Sequence, residues 1–191
     1  MDFTFENNET PAKGKLLISD PFLSDGYFDR SVVLLCEHNT EGSFGFVLNN
    51  YLDIEFEDVA DSFPNFETKI SVGGPVSKEN LFFIHTLGEK LPGSEKIVDD
   101  IYAGGDFEML MDMIKGKAID KNQVRFFIGY AGWSKGQLMD EIDDHAWVVT
   151  SIPSYESIMD IDDENLWASI MKKLGKKFSR MTKFPQNPNL N

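Results

Sequence analysis

Short apolar runs bounded by turn residues dominate the first three quarters of the chain. The runs are rich in β-branched, leucine and aromatic residues, which favour a pleated, partly buried strand. The pattern predicts strands at residues 15–19, 31–38, 43–49, 69–73, 80–86, 97–102, 123–130 and 146–150. The sequence NTEG at 39–42 separates the second and third runs, and its turn residues predict a β-hairpin.

Helical periodicity is clearest in two segments. In residues 106–116 the apolar positions form one stripe, acidic residues occupy the first turn, and Gly116 provides a left-handed C-terminal cap. In the second segment, Asp162 caps a helix whose apolar residues continue to Leu174. Weaker patterns predict helices at 55–61 and 154–160. Because hairpins come early and helices late, we predict a single α+β domain with a mixed sheet and flanking helices.

Length and cysteine content limit the domain organisation. The chain of 191 residues is long enough for one well-packed domain, and no composition shift marks a linker between two. We predict a flexible segment at 1–13, one domain at 14–175, and a basic, disordered tail at 176–191. The single cysteine, Cys36, excludes an intramolecular disulfide and is typical of a reducing compartment.

Charge is distributed unevenly along the chain. The formal net charge is −14, but residues 172–191 carry six basic and no acidic side chains. The other 171 residues carry 12 basic and 32 acidic side chains, a balance of −20 that repels nucleic-acid phosphates. The basic tail has two interpretations, a nucleic-acid-binding arm or a complement to a helix dipole and to the protein's own acidic surface.

The compartment follows from the N-terminus and the hydropathy. The first residues are acidic and polar, whereas a secretory signal needs a basic start and an apolar stretch. The longest apolar runs are too short to span a bilayer. The sequence therefore predicts a cytoplasmic protein that makes no membrane contact.

The stretch GYAGWSKGQL at 129–138 invites comparison with phosphate-binding loops. Its glycine spacing fits neither the P-loop nor the G-x-G-x-x-G pattern. Ser134 and Gln137 instead have the spacing of a capping box, with Trp133 and Leu138 at the positions of a hydrophobic staple. We predict that the stretch begins a helix, with ligand binding at that helix N-terminus as the alternative.

Candidate catalytic and metal-binding residues are sparse. Cys36 and His38 are two apart on a predicted strand, so they share a face and can be interpreted as a nucleophile and its base. Their Cβ atoms would be about 6.5 Å apart, which favours the alternative of a buried structural cysteine. The three histidines form no spaced cluster, and the acidic run at 160–164 lacks the glycine and glutamate of a calcium loop. We therefore assign no catalytic residue, no metal ligand and no cofactor.

Five motifs occur in an order that resembles the AlgH/YqgE family of bacterial proteins. They are SVVLLCEHNTEGSFGFVLNN, VGGPV, LFFIHTLG, IYAGGDFE and GYAGWSKGQL. The resemblance extends from about Gly14 to Gly175. It implies a complex, branched sheet and a family without an established enzymatic activity, usually labelled as transcriptional regulators. The matched motif residues are Glu37, His38, Asn49, Gly73, Gly74, Trp133 and Gln137.

The sequence favours a non-catalytic domain that binds an unknown protein or small molecule and has at most an indirect regulatory role. The candidate ligand or partner site comprises Glu37, His38, Asn49, Gly73, Gly74 and Trp133. The competing interpretation is that these residues serve folding, as glycines and caps commonly do. Two alternatives are a transcriptional regulator, as the family label suggests, and an enzyme that uses Cys36 and His38. No helix-turn-helix pattern is present, and the acidic charge disfavours direct nucleic-acid binding.

Overall fold

The computed structural model describes residues 9–23, 26–54 and 64–184. The strands are β1 (Leu16–Ser19), β2 (Val32–Asn39), β3 (Gly42–Val47), β4 (Ile70–Val72), β5 (Val76–His85), β6 (Glu95–Val98), β7 (Ile101–Ala103), β8 (Val124–Ser134) and β9 (Trp147–Thr150). The helices are α1 (Phe107–Lys115), α2 (Gln137–Asp143), α3 (Tyr155–Met159), α4 (Leu166–Lys173) and α5 (Lys176–Met181), with 3₁₀ turns at Gly88–Lys90 and Lys121–Gln123. None of the helices in these ranges is both long and apolar enough to cross a membrane.

The strands form one branched sheet in which β8 is the branch point. The strand order is β6-β7-β5-β8-β3-β2-β1-β9, and β4 pairs with β8 outside this path. One edge of β8 pairs with β5, antiparallel. The other edge pairs in parallel with β4 through residues 126–128, and then antiparallel with β3 through residues 131–134. The predicted α+β class with a mixed, branched sheet is therefore confirmed.

Three buried apolar clusters hold the helices against the sheet. The first packs α3, α4 and α5 against the central strands and includes Leu34 and Trp167. The second lies beneath α1 around Leu110, and the third lies beneath α2 and includes Val33. Alternate residues of β2 enter the first and third clusters, so this strand is buried on both faces.

Gly73 lies at the fork where β4 leaves β8 and β3 joins it. Its N–H donates to the Ile128 carbonyl and its own carbonyl accepts from Val47 N–H, so it connects all three strands. A Cβ atom at this position would lie 2.3 Å from the Gly129 carbonyl oxygen. At Gly74, with φ of 155°, a Cβ atom would lie 2.2 Å from the Ala131 nitrogen. The sheet can branch here because neither residue carries a side chain.

The predicted strands differ from the observed ones mainly in their boundaries. The hairpin is confirmed as β2 and β3. The single strand predicted at 97–102 is wrong, because the chain turns at Asp99 and forms β6 and β7 instead. Asp99 has φ of 46°, a left-handed conformation that aspartate tolerates better than most residues. The helix predicted at 55–61 lies outside the described residues.

The predicted end of the first helix at Gly116 is confirmed but its left-handed conformation is not, and the predicted cap Asp162 is wrong. Asp106 caps α1, where its carboxylate accepts from Met109 N–H at 3.0 Å. Gly116 has a right-handed φ of −75°, and Lys117 takes the left-handed position that follows, with φ of 53°. At the other helix, Asn165 precedes α4, and Asp162 pairs with Lys121 instead of capping.

The stretch at 129–138 does lead into a helix, α2, although not as a complete capping box. Gln137 accepts a hydrogen bond from Ser134 N–H at 3.0 Å, which is one of the two hydrogen bonds of a capping box. Ser134 still belongs to β8 and its hydroxyl donates to Gln137, so the cap position falls to Gly136 with φ of 79°. Trp133 and Leu138 both lie in the third apolar cluster, as expected of a staple.

The described parts of both predicted tails contact the rest of the chain. Glu9, within the predicted flexible segment, accepts from Lys15 at 2.6 Å and from the Ser151 hydroxyl at 2.7 Å. Helix α5 lies within the tail predicted from residue 176. Phe178 and Met181 continue the apolar face of α4, and Met181 is fully buried in the first cluster.

Candidate functional site

A polar cleft of about 490 Å³ lies between the loop before β2, the segment after β3 and the start of α4. We call it the Arg30 cleft. Its lining side chains include Asp29, Arg30, Asn49, Asn50, Glu164 and Trp167. One guanidinium, carboxylates and amides therefore face a common space whose wall also includes an aromatic ring. Converging polar groups in a concave site can fix the orientation of a polar ligand.

Arg30 has the least ordinary geometry in this cleft. Its backbone is left-handed, with φ of 47°, a strained conformation for a residue with a Cβ atom. The guanidinium carbon lies 5.1 Å from the ring centroid of Trp167, and Nη2 donates to the carbonyl of Phe184. The Nε atom of Arg30 is buried and has no hydrogen-bond partner.

Asn49 holds the backbone around Arg30 in place. Its Nδ2 donates to the Arg30 carbonyl at 2.9 Å, and its Oδ1 accepts from Val32 N–H at 2.8 Å. The amide thus fastens the strained residue to the beginning of β2 with two hydrogen bonds. Asn49, predicted as a candidate site residue, lines the cleft, but both of these hydrogen bonds are to backbone atoms.

A wider groove of about 780 Å³ adjoins the Arg30 cleft and shares Asn49, Asn50 and Glu164 with it. We call it the lateral groove. Thr68 lines this groove, is only 9% exposed, and its hydroxyl has no hydrogen-bond partner. Within the described residues, this hydroxyl and Arg30 Nε are the two buried side-chain polar atoms that lack a partner. Each cavity is thus lined by a residue with one such atom. Buried polar atoms are rarely left unpaired in folded proteins.

Two ion pairs form the rim of the lateral groove. Lys121 Nζ lies 2.7 Å from Asp162 Oδ2, and Lys69 Nζ lies 3.4 Å from Glu164 Oε1. The hydrogen bond from Lys121 lowers the pKa of the Asp162 carboxyl. These exposed pairs add little stability, so they leave the rim able to exchange partners.

Arg125 lies fully buried below the lateral groove and was not singled out from the sequence. Its guanidinium donates to the Ile158 carbonyl at 2.5 Å, to the Tyr51 hydroxyl at 3.0 Å, and to the Leu48 carbonyl. Burial lowers its pKa. The arginine thus joins β8, the segment after β3 and α3. A single charged residue inside the apolar run VRFFI was the signal that could have revealed this position.

Cys36 and His38 do not share a face, because a β-bulge interrupts β2 between Leu35 and Glu37. Cys36 belongs to the first apolar cluster, and Glu37 lies opposite Phe44, whose ring contacts Phe46 of that cluster. His38 is displaced to the other face. The bulge adds one residue to the strand and shifts the alternation that the sequence predicted.

The partner of His38 is Ser43 on the adjacent strand. His38 Nδ1 lies 2.6 Å from Ser43 Oγ, in a shallow pocket of about 510 Å³ beside α2. Among the described residues, no carboxylate contacts the His38 ring to orient it as a base. The pair therefore has the geometry of an ordinary cross-strand contact in a hairpin.

The six candidate site residues are not brought together. Glu37 and His38 lie on opposite faces of β2, and Gly73 and Gly74 form the fork of the sheet. Trp133 is 5% exposed, and its indole N–H donates to Glu141 at 2.8 Å. In the described part of the chain, no three His, Cys, Asp or Glu side chains are grouped so that they could hold a metal ion.

The chain matches established families over most of its length. Residues 16–179 match the family described as DUF179, AlgH-like. A UPF0301 protein from Parabacteroides distasonis is 44% identical over 188 residues, which cover 97% of this chain and 94% of the relative. A UPF0301 protein from Cytophaga hutchinsonii is 39% identical over 180 residues and covers 94% of this chain, with 98% of the relative matched.

Two solved structures share the fold. The solution structure of the AlgH protein from Pseudomonas aeruginosa superimposes with a TM-score of 0.73 at 25% identity, covering 95% of this chain and 98% of that one. A crystal structure of a protein from Corynebacterium diphtheriae gives a TM-score of 0.75 at 21% identity, covering 94% and 95%. The sequence match, the relatives and the shared fold agree: the chain belongs to the AlgH-like family.

Proposed function

We propose that this protein is a cytoplasmic, non-catalytic binding domain that takes a small polar ligand in the Arg30 cleft, with at most an indirect regulatory role. The observation that carries the proposal is that each of the two cavities is lined by a residue whose buried polar atom has no hydrogen-bond partner. An unpaired buried donor costs free energy, and a ligand that supplies its partner recovers that cost.

The chemistry of the cleft sets what the ligand must carry. Arg30 supplies hydrogen-bond donors, Asn49 and Asn50 supply amides, and Asp29 and Glu164 supply carboxylates. An acceptor group directed at the arginine satisfies the unpaired Nε, while the carboxylates favour donors elsewhere on the ligand. Neither unpartnered atom is reached by solvent, so binding includes a local rearrangement of the side chains that cover them.

The absence of a catalytic arrangement in the described residues supports a binding role over an enzyme. The one cysteine is separated from His38 by the sheet, and the His38–Ser43 pair has no orienting carboxylate. Of the candidate site residues, we assign Asn49 to the ligand site and the others to folding. Direct action as a transcriptional regulator has less support, because the body of the protein is acidic.

Non-denaturing mass spectrometry tests this proposal. The full chain is equilibrated separately with carboxylic acids, sugar phosphates and nucleotides, and the spectra are searched for a one-to-one adduct. Arg30→Gly removes the guanidinium while suiting the left-handed backbone, and Lys90→Ala removes an exposed charge on a 3₁₀ turn as control. We expect an adduct with one class, retained in the control and lost without Arg30. Adducts unaffected by Arg30→Gly, or none with any class, would contradict the proposal.

A further inference from the structure

Two neighbouring nitrogen donors of the Arg30 guanidinium, Nε and Nη2, differ in their hydrogen bonding. A guanidinium presents Nε–H and one Nη2–H side by side, and this edge matches the two oxygens of a carboxylate or phosphate. In Arg30, Nη2 donates to the Phe184 carbonyl, whereas Nε has no partner. The Phe184 carbonyl is a single neutral acceptor that takes a hydrogen bond from Nη2 and leaves Nε–H without one.

The Phe184 carbonyl is held over Arg30 by a short anchored segment. Met181, at the end of α5, is fully buried, and a turn follows in which Phe184 N–H donates to the Met181 carbonyl at 3.2 Å. The Phe184 ring packs against the first cluster and lies 5.3 Å from the Phe22 ring, centroid to centroid. Phe22 is 56% exposed, so the contact between the two rings lies at the protein surface.

Resting on the function proposed above, we propose that this edge of Arg30 binds an anionic group of the ligand, and that the Phe184 carbonyl occupies the edge in the free protein. A carboxylate or phosphate satisfies both donors at once and makes charge-assisted hydrogen bonds, which are stronger than the bond to a neutral carbonyl. Trp167 lies under the guanidinium and holds its plane while the carbonyl is exchanged. Residues 182–184 therefore act as a latch that the ligand displaces.

A ligand can bind only to molecules in which the edge is free. The apparent affinity is therefore the intrinsic affinity multiplied by the fraction of such molecules. Phe184→Gly removes the ring that anchors the carbonyl, without changing the charge. Phe184→Leu keeps an apolar anchor and is the matched control. The position is partly buried, so the fold of both variants is checked by their backbone amide spectra.

The test follows the Arg30 Nε–Hε signal by NMR during titration with inorganic phosphate and, separately, with acetate. We expect the signal to shift in the full chain, and the dissociation constant to fall about three- to tenfold in Phe184→Gly but not in Phe184→Leu. The anion that gives the lower dissociation constant identifies the preferred group. A shift with an unchanged constant in Phe184→Gly overturns the latch and leaves the proposed site standing. No shift with either anion, in the full chain and in Phe184→Gly, overturns both.

Discussion

Trp133 and Trp147 donate to the same carboxylate oxygen: each indole N–H lies 2.8 Å from Oε2 of Glu141. Both indoles are buried, and their ring centroids lie 5.9 Å apart at nearly a right angle. Glu141 is on α2, whereas the tryptophans are on β8 and β9. The carboxylate thus fastens the helix to two strands that are far apart in the sheet.

Replacing this carboxylate is expected to destabilise the fold. Glu141→Ala leaves two buried indole donors without an acceptor, which we expect to lower the free energy of unfolding by about 2–4 kcal/mol. Asp140→Ala removes the same charge from the neighbouring, exposed position and should cost less than about 0.5 kcal/mol. Urea unfolding of the two variants measures the difference. Equal stability losses would show that the shared acceptor has no special role.

The fork of the sheet provides a second prediction. Gly73→Ala places a Cβ atom within 2.3 Å of a backbone oxygen, and backbone cannot move aside as a flexible side chain can. We expect a loss of about 3 kcal/mol, from strain where β4 and β3 meet β8. Gly116→Ala is the control, because it has a right-handed φ and its Cβ atom would lie 3.2 Å from the Asp112 carbonyl oxygen, a much milder contact; we expect it to cost less than about 1 kcal/mol. The midpoints of thermal unfolding of the two variants measure the difference. Similar midpoints would contradict the close approach of the Gly73 and Gly129 backbones at the fork.

The α+β class, the hairpin and most strands could be predicted because they follow from local patterns of apolar residues. The branching of the sheet could not, since pairing of β8 with β3, β4 and β5 is a long-range property; only the resemblance implied it. The bulge after Leu35 was also hidden, because a strand pattern carries no sign of one unpaired residue when both faces are apolar. The sequence pattern did not reveal α5, because its two apolar residues, Phe178 and Met181, lie among basic residues of the predicted tail.

The candidate site was less predictable than the fold. Asn49, which lines the cleft, was among the predicted candidate residues, but Arg30 was not, since an isolated arginine in a polar loop has no distinguishing pattern. Its strained backbone and unpartnered Nε depend on how Asn49, Trp167 and Phe184 pack around it. Trp167 and Phe184 are more than a hundred residues from Arg30 in the chain, beyond the reach of any local motif.

The buried cysteine should be chemically inert in the native protein. Cys36 is 1% exposed, and burial raises the pKa of its thiol, so the reactive thiolate is scarce at neutral pH. We expect slow labelling by a thiol reagent under native conditions and fast labelling in urea. His38→Ala should leave the native rate unchanged, because His38 lies on the other face of the sheet. Fast stoichiometric labelling that depends on His38 would restore the catalytic interpretation.

A buried histidine should make stability depend on pH. His85 is fully buried, bonded to Ser94 and the Gly104 carbonyl, and burial lowers its pKa below the ordinary 6.5. The unfolded chain then binds the proton more readily than the folded one, so stability falls as the pH drops through 6.5 towards the lowered folded value.

The comparison that isolates this contribution uses His85→Gln, which titrates nowhere in the range. Unfolding free energies of both proteins are measured at about pH 7.5 and about pH 5.5, above the range in which most carboxylates take up protons. We expect the wild type to lose more stability than the variant between the two conditions. A loss of the same size in both proteins would mean that His85 is protonated equally in the folded and unfolded states.

The basic residues near the C-terminus provide the last prediction, because they alone could give a regulatory role by direct DNA contact. Six cationic side chains lie between Lys172 and Lys183, on the exposed faces of α4 and α5 and just beyond. They belong to a protein whose other residues carry a charge of −20, which repels a duplex. We expect only weak, salt-sensitive association with DNA, with no preference among sequences.

Fluorescence anisotropy with labelled duplexes of random sequence, and with duplexes selected from genomic fragments, measures this directly. The variant Lys176→Gln/Lys177→Gln/Arg180→Gln removes half of the cationic charge while keeping helix-forming residues on α5. It should weaken association with every duplex alike, because contacts to phosphates carry no sequence information. Tight binding of one selected sequence at physiological salt, abolished in this variant, would show that α5 acts as a DNA-reading element and would reverse the preference for an indirect role.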